Sequence, residues 1–266
     1  DGCDLEAAEA VCEAESAGRR PILDTLITLT DKSLLRLQRI DGEPRFGMLQ
    51  TIREYTSLQL QAADELNEIS RRHASYYNNL VESAVQGLNG PDVHVWSGRL
   101  DIEHDNFRTA LGWSLDHDEL ATAFHIGGNL WRFWDSRGLY SEGIQWLKRI
   151  LATEGNVSLL DRANVLNGAG GLALKLSDDD SAKWYLTEAL TVRKEAGDMP
   201  GVSGSLHNLA MLAINQNDYK TALSRIEESL NVDRDLGDRA GVASGTLVLA
   251  WILTVERQYE SACTHT

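Results

Sequence analysis

With 266 residues the chain has room for one large or two ordinary domains and an ample core. Forty acidic against 25 basic residues leave a net charge of −15, a surface that repels phosphate backbones and argues against nucleic-acid binding by the chain as a whole, though not against a local basic patch. An apolar fraction of 42% with four prolines excludes a disordered chain, and no apolar run approaches the roughly 20 residues of a membrane helix.

Residues 1 to about 50 differ from the rest. Asp4 to Cys12 is a short Ala/Glu-rich helix, and Arg19-Arg20-Pro21 opens a second one with apolar Ile22, Leu23, Leu26, Ile27 and Leu29. A hairpin over 34–49 follows, with Asp41-Gly42 as its turn. Helix, helix, hairpin is the back half of a winged-helix domain, so 1–50 is expected to be a partial winged-helix module, exposed where its first helix is absent. Cys3, Cys12 and Cys263 have no metal-ligand spacing and cannot all pair; free thiols in a reducing cytoplasm are the expectation. The first residue is Asp1, no signal peptide opens the chain, and the C-terminus falls inside an expected helix, all of which read as a fragment of a longer protein.

The pattern is helical from Gln50 to about Gln86, and Gly87, Gly90 and Pro91 break it. A further helix takes 93–116. Residues 51–117 are thus a helical linker or capping region. Helix pairs follow at 118–136 with 140–153, 159–176 with 180–196, 199–216 with 219–236, and 239–256 with a truncated partner that starts near Tyr259. This array divides into units of about 118–157, 158–198, 199–238 and 239–266.

The pairs repeat at a step of 40. Leu166 to Ala173 maps onto Leu206 to Ala213, Ala182 onto Ala222, Leu190 onto Leu230, and Gly197-Asp198 onto Gly237-Asp238; a third copy sets Ala250, Tyr259 and Ala262 against Ala210, Tyr219 and Ala222. Such a period signals stacked supersecondary units, each too small to bury its own apolar face. Small residues twelve apart (Gly170 and Ala182, Ala210 and Ala222) let two antiparallel helices approach closely. Asp180 and Asp218 stand where N-caps belong, and Gly197 and Gly237 where C-caps belong.

These residues resemble the tetratricopeptide repeat: a small residue in the first helix (Ala210), an aromatic opening the second (Tyr219), its small residue (Ala222) and a bulky one four on (Ile226). The period exceeds the usual 34 residues, and Gly-Asp replaces the family's terminal proline. The expected fold is therefore mostly α, a tetratricopeptide-type α-solenoid of helical hairpins preceded by the partial winged-helix module.

Five further runs, in order, resemble another family: Asp31 to Leu35, Glu43 to Tyr55, Arg72 to Tyr77, Glu103 to Leu111 and Leu130 to Trp134. They are similar to the signal-transducing ATPases called STAND proteins, in their bacterial transcriptional-regulator branch. There the order is effector, ATPase, winged helix and tetratricopeptide sensor. The resemblance implies a fragment that begins after the ATPase, with that ATPase domain as an intramolecular partner and a winged helix that packs on it rather than on DNA.

No G-x-x-x-x-G-K-[ST] is present, so no nucleotide hydrolysis is assigned to these residues, and no catalytic, cofactor or metal site is expected. Gly168-Ala169-Gly170-Gly171 falls mid-helix and reads as tight packing rather than a phosphate cradle. Glu103-His104-Asp105-Asn106 reads as an interhelical polar contact rather than a ligand set, and Asp178-Asp179-Asp180 as a solvated turn with a cap. Trp131, Phe133, Trp134, Trp113 and Trp146 read as a core sealing the first repeat. What remains is the groove along the first helices. One step off the packing stripe lie His207, Met211, Ile214 and Asn215; their counterparts are Asn167, Gly171, Leu174 and Lys175, then Leu247, Trp251, Thr254 and Val255, and at a step of 79 Gly128, Arg132, Asp135 and Ser136. This mixture suits a protein, a peptide or a small-molecule inducer. The leading expectation is a non-catalytic sensor and scaffold that relays binding to the ATPase, with no membrane contact. The alternative is DNA binding through Arg19, Arg20 and Lys32.

Overall fold

The computed structural model describes residues 2–12, 21–40, 42–88 and 92–263, with side chains described as far as Glu256. The chain divides into two compact units, Asp1–Ile126 and Gly127–Thr266.

In the first unit α1 (Leu5–Cys12) and α2 (Ile22–Asp31) precede a hairpin of β1 (Leu35–Ile40) and β2 (Glu43–Met48). The strands pair antiparallel in the register Leu35 with Met48 through Ile40 with Glu43. Cys3 adds a one-residue bridge to β2, exchanging backbone bonds with Phe46 at 2.9 and 2.8 Å. Gly2 permits it: its φ is +130°, and a side chain there would begin 2.9 Å from the Phe46 carbonyl oxygen. Ala8, Leu26, Leu35 and Phe46 form the small core beneath. Pro21 stands at the N-cap of α2, where its missing N–H costs no helical bond; Arg19, Arg20 and Asp41 lie outside the described residues. The helical stretch after Gln50 is not continuous. It splits into α3 (Gln50–Ala62) and α4 (Leu66–Leu88) at Asp64, whose φ is +60° and whose short polar side chain tolerates the left-handed region. α5 (Val93–Asp116) packs along α4 through Tyr77, Phe107, Ala110 and Leu111, all buried.

α6 (Leu120–Ser136) carries the division between units, and the second unit continues with α7 (Tyr140–Leu151), α8 (Leu159–Lys175), α9 (Asp179–Ala196), α10 (Met199–Asn215), α11 (Tyr219–Leu236) and α12 (Arg239–Cys263). Its turns repeat as its packing does. Each hairpin turn places one residue in the left-handed region, Gly138, Ser177 and Asn217, and the next N–H reaches back to close the helix: Leu139 to Trp134 O at 2.8 Å, Asp178 to Ala173 O at 3.0 Å, Asp218 to Ala213 O at 2.9 Å. Between hairpins Gly197 and Gly237 do the same at φ +69° and +71°. The following helix is capped by a side chain from Asp178, Asp198 or Asp218 onto the amide three residues on. The cap of α9 is thus Asp178 and not Asp180: the αL turn at Ser177 fixes where the chain re-enters the helix, and the step of 40 then holds.

Small residues set how near the helices come. Ala182, Ala210 and Ala222 are fully buried, and the Cα of Gly170 lies so close to α9 that a Cβ would stand 2.5 Å from Leu186 Cγ. Gly168 is pressed as tightly, against Trp131 of α6 at 2.7 Å, and Gly143 against Trp134 at 2.9 Å. Gly168 to Gly171 is therefore a packing surface inside α8. The tryptophans do not form one core. Phe133 and Trp134 are buried, whereas Trp113 stacks on His117 at 4.9 Å and Trp146 lies under Arg149 at 4.5 Å.

The last helix departs from expectation. No turn precedes Tyr259, and α12 runs unbroken to Cys263. The step of 40 puts Arg257 and Gln258 where Asn217 and Asp218 make the turn and the cap, and neither suits that job. Ala250, the counterpart of Ala210, is accordingly exposed, as are Leu247, Trp251 and Leu253. Arg239–Glu256 is also long and apolar enough to cross a membrane, with a mean hydropathy of 1.2 and only 11% of the stretch buried. Its apolar side chains are interleaved with Gly, Ser and Thr, so no run in the sequence displays that length.

Close packing decides a pair of substitutions. Gly170→Ala gains about 1 kcal/mol of helix propensity but drives a methyl into Leu186, a clash of about 1–3 kcal/mol, so the midpoint in urea should fall. Gly204→Ala, with only Arg193 Nη1 near at 3.8 Å, should raise the midpoint by up to about 1 kcal/mol. Equal effects from both would contradict the packing described.

Candidate functional site

In the second unit the first helices of successive hairpins lie side by side. α8 meets α10 through Asn167, whose Oδ1 accepts from Asn208 Nδ2 at 3.1 Å and Ser205 Oγ at 3.4 Å. α10 meets α12 across an apolar cleft of 260 Å³ lined by Met211, Ile214, Leu247, Val248 and Trp251. Leu247 is 74% and Trp251 48% exposed, so the cleft has an oily, accessible wall. Tyr219, opening α11, presents its ring edgewise to Trp251 at 6.3 Å.

The groove positions thus separate. Met211 and Trp251 meet in the cleft with Ile214 and Leu247. Asp135 and Lys175 form an ion pair at 3.6 Å, and the exposed Arg132 lies over the Trp131 ring at 4.8 Å. Asn167 is buried and engaged with α10, a tie between hairpins. His207 is half-buried, and burial pushes its pKa down against the pull of the Asp233 charge. Asn215 is exposed at the end of α10. Gly128 is buried against Asn164, Gly171 lies under the Trp131 ring, and Leu174 joins the core of Ala173, Ala182 and Leu212. Ser136 and Thr254 turn their hydroxyls back onto Phe133 and Ala250 carbonyls. Val248 is a cleft residue that the groove spacing does not single out, since it also reads as packing.

The first unit holds the other polar concentration. Arg45 of β2 forms a two-pronged pair with Glu103 of α5, Nη1 to Oε1 at 2.5 Å and Nη2 to Oε2 at 2.9 Å. Tyr77 of α4 donates to Oε2 at 2.8 Å, and Asn106 Nδ2 donates to it at 2.6 Å. Arg45 and Asn106 both also donate to the Gly2 carbonyl, at 2.8 and 3.0 Å. One buried carboxylate therefore fastens the N-terminal segment, the hairpin and two helices together. Burial pushes Glu103 up, yet the bonds from Arg45 and Asn106 outweigh it and hold the carboxyl below its usual range. Burial and the Glu103 charge push the Tyr77 hydroxyl up. Burial also takes Cys3 to about 11 and holds His73 below the usual imidazole value. Glu103 and Asn106 are structural, in line with the interhelical reading of Glu103 to Asn106, and no group of three metal-binding side chains occurs among the described residues.

No family model matches the chain. Over 208 residues it is 29% identical to proteins of Mycobacterium bovis and Mycobacterium tuberculosis that carry the name HTH-type transcriptional regulator. The match takes in 74% of this chain and spans only 23%, about a quarter, of those relatives. Among solved structures, BtubC (BKLC) from P. vanneervenii superposes with a TM-score of 0.52 at 15% identity, over 73% of this chain and 87% of that one. TPR-like repeats of a kinesin light chain from Podospora anserina do so at 0.52 and 13%, over 72% and 92%. A STAND protein with a tetratricopeptide repeat sensor from Pyrococcus horikoshii, 14% identical over 98% of this chain and 46% of its own, gives 0.33, too loose to carry an argument. The fold is that of a tetratricopeptide-type α-solenoid.

The ionic hub makes the first unit sensitive to acid. Glu103 and His73 both take protons less readily in the fold than in the unfolded chain, whose values lie near 4.3 and 6.5. Their contribution is complete above about pH 6.5 and is lost as pH falls through the folded values, so thermal scans from pH 7 to 4 should show the melting temperature dropping. Glu103→Ala, which strands Arg45, should cost about 3–5 kcal/mol at pH 7 and flatten that profile, while Arg45→Met with Glu103→Leu should recover most of the loss. A Glu103→Ala protein as stable as wild type would refute the role of the hub.

Proposed function

We propose that this chain is the sensor and scaffold region of a bacterial signal-transducing regulator. Its repeat array binds a protein, a peptide or a small-molecule inducer along the first helices and passes that state to an ATPase domain outside these residues. The single observation that carries the reading is the accessible cleft of Met211, Ile214, Leu247 and Trp251, built from α10 and α12 so that one ligand bridges a hairpin and the helix stacked on it. A flexible thioether beside a rigid indole suits apolar anchors of varied shape. The name of the mycobacterial relatives supports a regulatory setting, and the five ordered runs support the STAND-type order. Residues 1–50 are on this reading the remaining part of a winged helix, and their tie to α4 and α5 through Arg45 and Glu103 supports a relay through that module. No catalytic role is proposed.

The name of those relatives also favours a second reading, in which the N-terminal module itself contacts DNA through exposed Lys32, Arg36 and Arg39. A gel shift at low salt separates the two. Binding that weakens steeply with added salt marks DNA contact, and the scaffold reading predicts no shift.

A selection of phage-displayed peptides on the intact chain tests the cleft. Enriched sequences should carry an apolar anchor, and Trp251→Ala should weaken them by about 2 kcal/mol or more, roughly thirtyfold, without lowering the melting temperature. Binders indifferent to Trp251→Ala would remove the cleft from the account.

A further inference from the structure

The step of 40 that repeats the packing also sets Arg193 against Asp233, and there the charge reverses. Arg193 is buried in α9, where Nη1 donates to the Gly201 carbonyl at 2.6 Å and Nη2 to Asn164 Oδ1 at 2.9 Å, while Nε lies 3.8 Å from the Asp198 Oδ2 counter-charge without a hydrogen bond. Forty residues on, the acceptor positions persist as Gly241 and Asp238, Asn164 has become Gly204, and the cation has become the carboxylate of Asp233.

Asp233 is only 4% exposed, and no hydrogen bond or ion pair to its carboxylate is found among the described residues. Its Oδ2 and that of Asp238 lie 2.7 and 2.8 Å from the point where a side chain on Gly241 would begin, so two carboxylates crowd one spot. The other oxygen of Asp238 is occupied, accepting from the amides of Ala240 and Gly241 at 3.0 and 3.1 Å. Asp233 is thus a buried carboxylate without a hydrogen-bond donor, beside a second carboxylate, and a cation would supply the missing donor and counter-charge. They front a recess of 340 Å³ between α11 and α12, which shares no residue with the apolar cleft. Among the described residues no cation of this chain closes it. Arg234 at its edge donates to Asn231 at 3.1 Å, Arg239 stands exposed at the rim, and His207 of α10 feels the Asp233 charge without a bond to it. A metal ion fits poorly, since no third ligand joins the two carboxylates among the described residues. A planar fork of N–H donors fits well, and the sibling position already holds one.

We propose that the recess lined by Asp233, Asp238, Gly237, Val242 and Ala243 is a socket for a guanidinium group brought by another molecule, a site of its own apart from the cleft. The guanidinium belongs either to an arginine side chain of a partner protein or to a small free guanidine.

Nitrogen-15 NMR of the whole chain tests it, following the Gly237, Asp238 and Gly241 amides during titration with agmatine, with acetyl-Gly-Arg-Gly-amide and with the citrulline form of that peptide. The arginine peptide or agmatine should give saturable shifts and the uncharged citrulline peptide none; whichever of the first two binds more tightly identifies the source. Asp233→Asn should weaken binding at least about tenfold while its circular-dichroism melt stays that of a folded chain. Asp233→Arg with Gly204→Asn rebuilds the internal clip and should abolish binding in a protein at least as stable. The proposal is overturned by the absence of saturable shifts, by equal shifts from the citrulline peptide, by undiminished affinity in Asp233→Asn, or by binding that appears only in Arg239→Gln, which would assign the socket to this chain's own arginine.

Discussion

Close approach between antiparallel helices is the constraint on which the second unit depends. Gly170 against Leu186 shows its severity, since a single methyl would begin 2.5 Å from the facing side chain. Ala182, Ala210 and Ala222 repeat the condition with no exposed surface at all. Helices held this near must turn sharply between themselves, and the left-handed residues Gly138, Ser177 and Asn217 supply the turns. Because each hairpin satisfies its own ends, its remaining apolar surface is free to be covered by the next one. That is why the fold grows by addition, and why α12 keeps Leu247, Trp251 and Leu253 exposed.

Polar contacts then decide how one hairpin meets another. Asn167 tied to Asn208 and Ser205 fixes the offset between layers that alanine alone would leave free to slide, while Ser203 bonded to Ser229 at 2.8 Å sets the register within one hairpin. Arg193 does this with charge, and Asp233 in the same place does not. In the first unit one carboxylate performs the equivalent task. Arg45, Tyr77, Glu103 and Asn106 come from three separate parts of the chain, and three of the five runs that resemble STAND proteins contain them all.

Much of this was legible in the residues. The step of 40 marked the hairpins, their small residues and the glycine ends, and placed Met211, Ile214, Leu247 and Trp251 on one surface. Three features were not legible, each for a physical reason. A break at Asp64 carries no Gly or Pro, because an aspartate can enter the left-handed region by itself. The cap at Asp178 was hidden among three consecutive aspartates, which only the αL turn before them distinguishes. Pairing of Arg45 with Glu103 joins residues 58 apart, and no local period reports a contact of that range. Conversely, Asn167 read as a groove residue because an amide one step off the packing stripe looks solvent-facing, whereas its bonds run to the neighbouring hairpin.

Amide hydrogen exchange along the second unit measures the central claim directly, that hairpins are stabilised by the neighbours stacked on them. The account predicts slowest exchange in α8 to α11, covered on both sides, and markedly faster exchange in α12, which has a single covered face. Uniform protection across Gly127 to Cys263, with α12 exchanging as slowly as α9, would show one indivisible core in place of a stack.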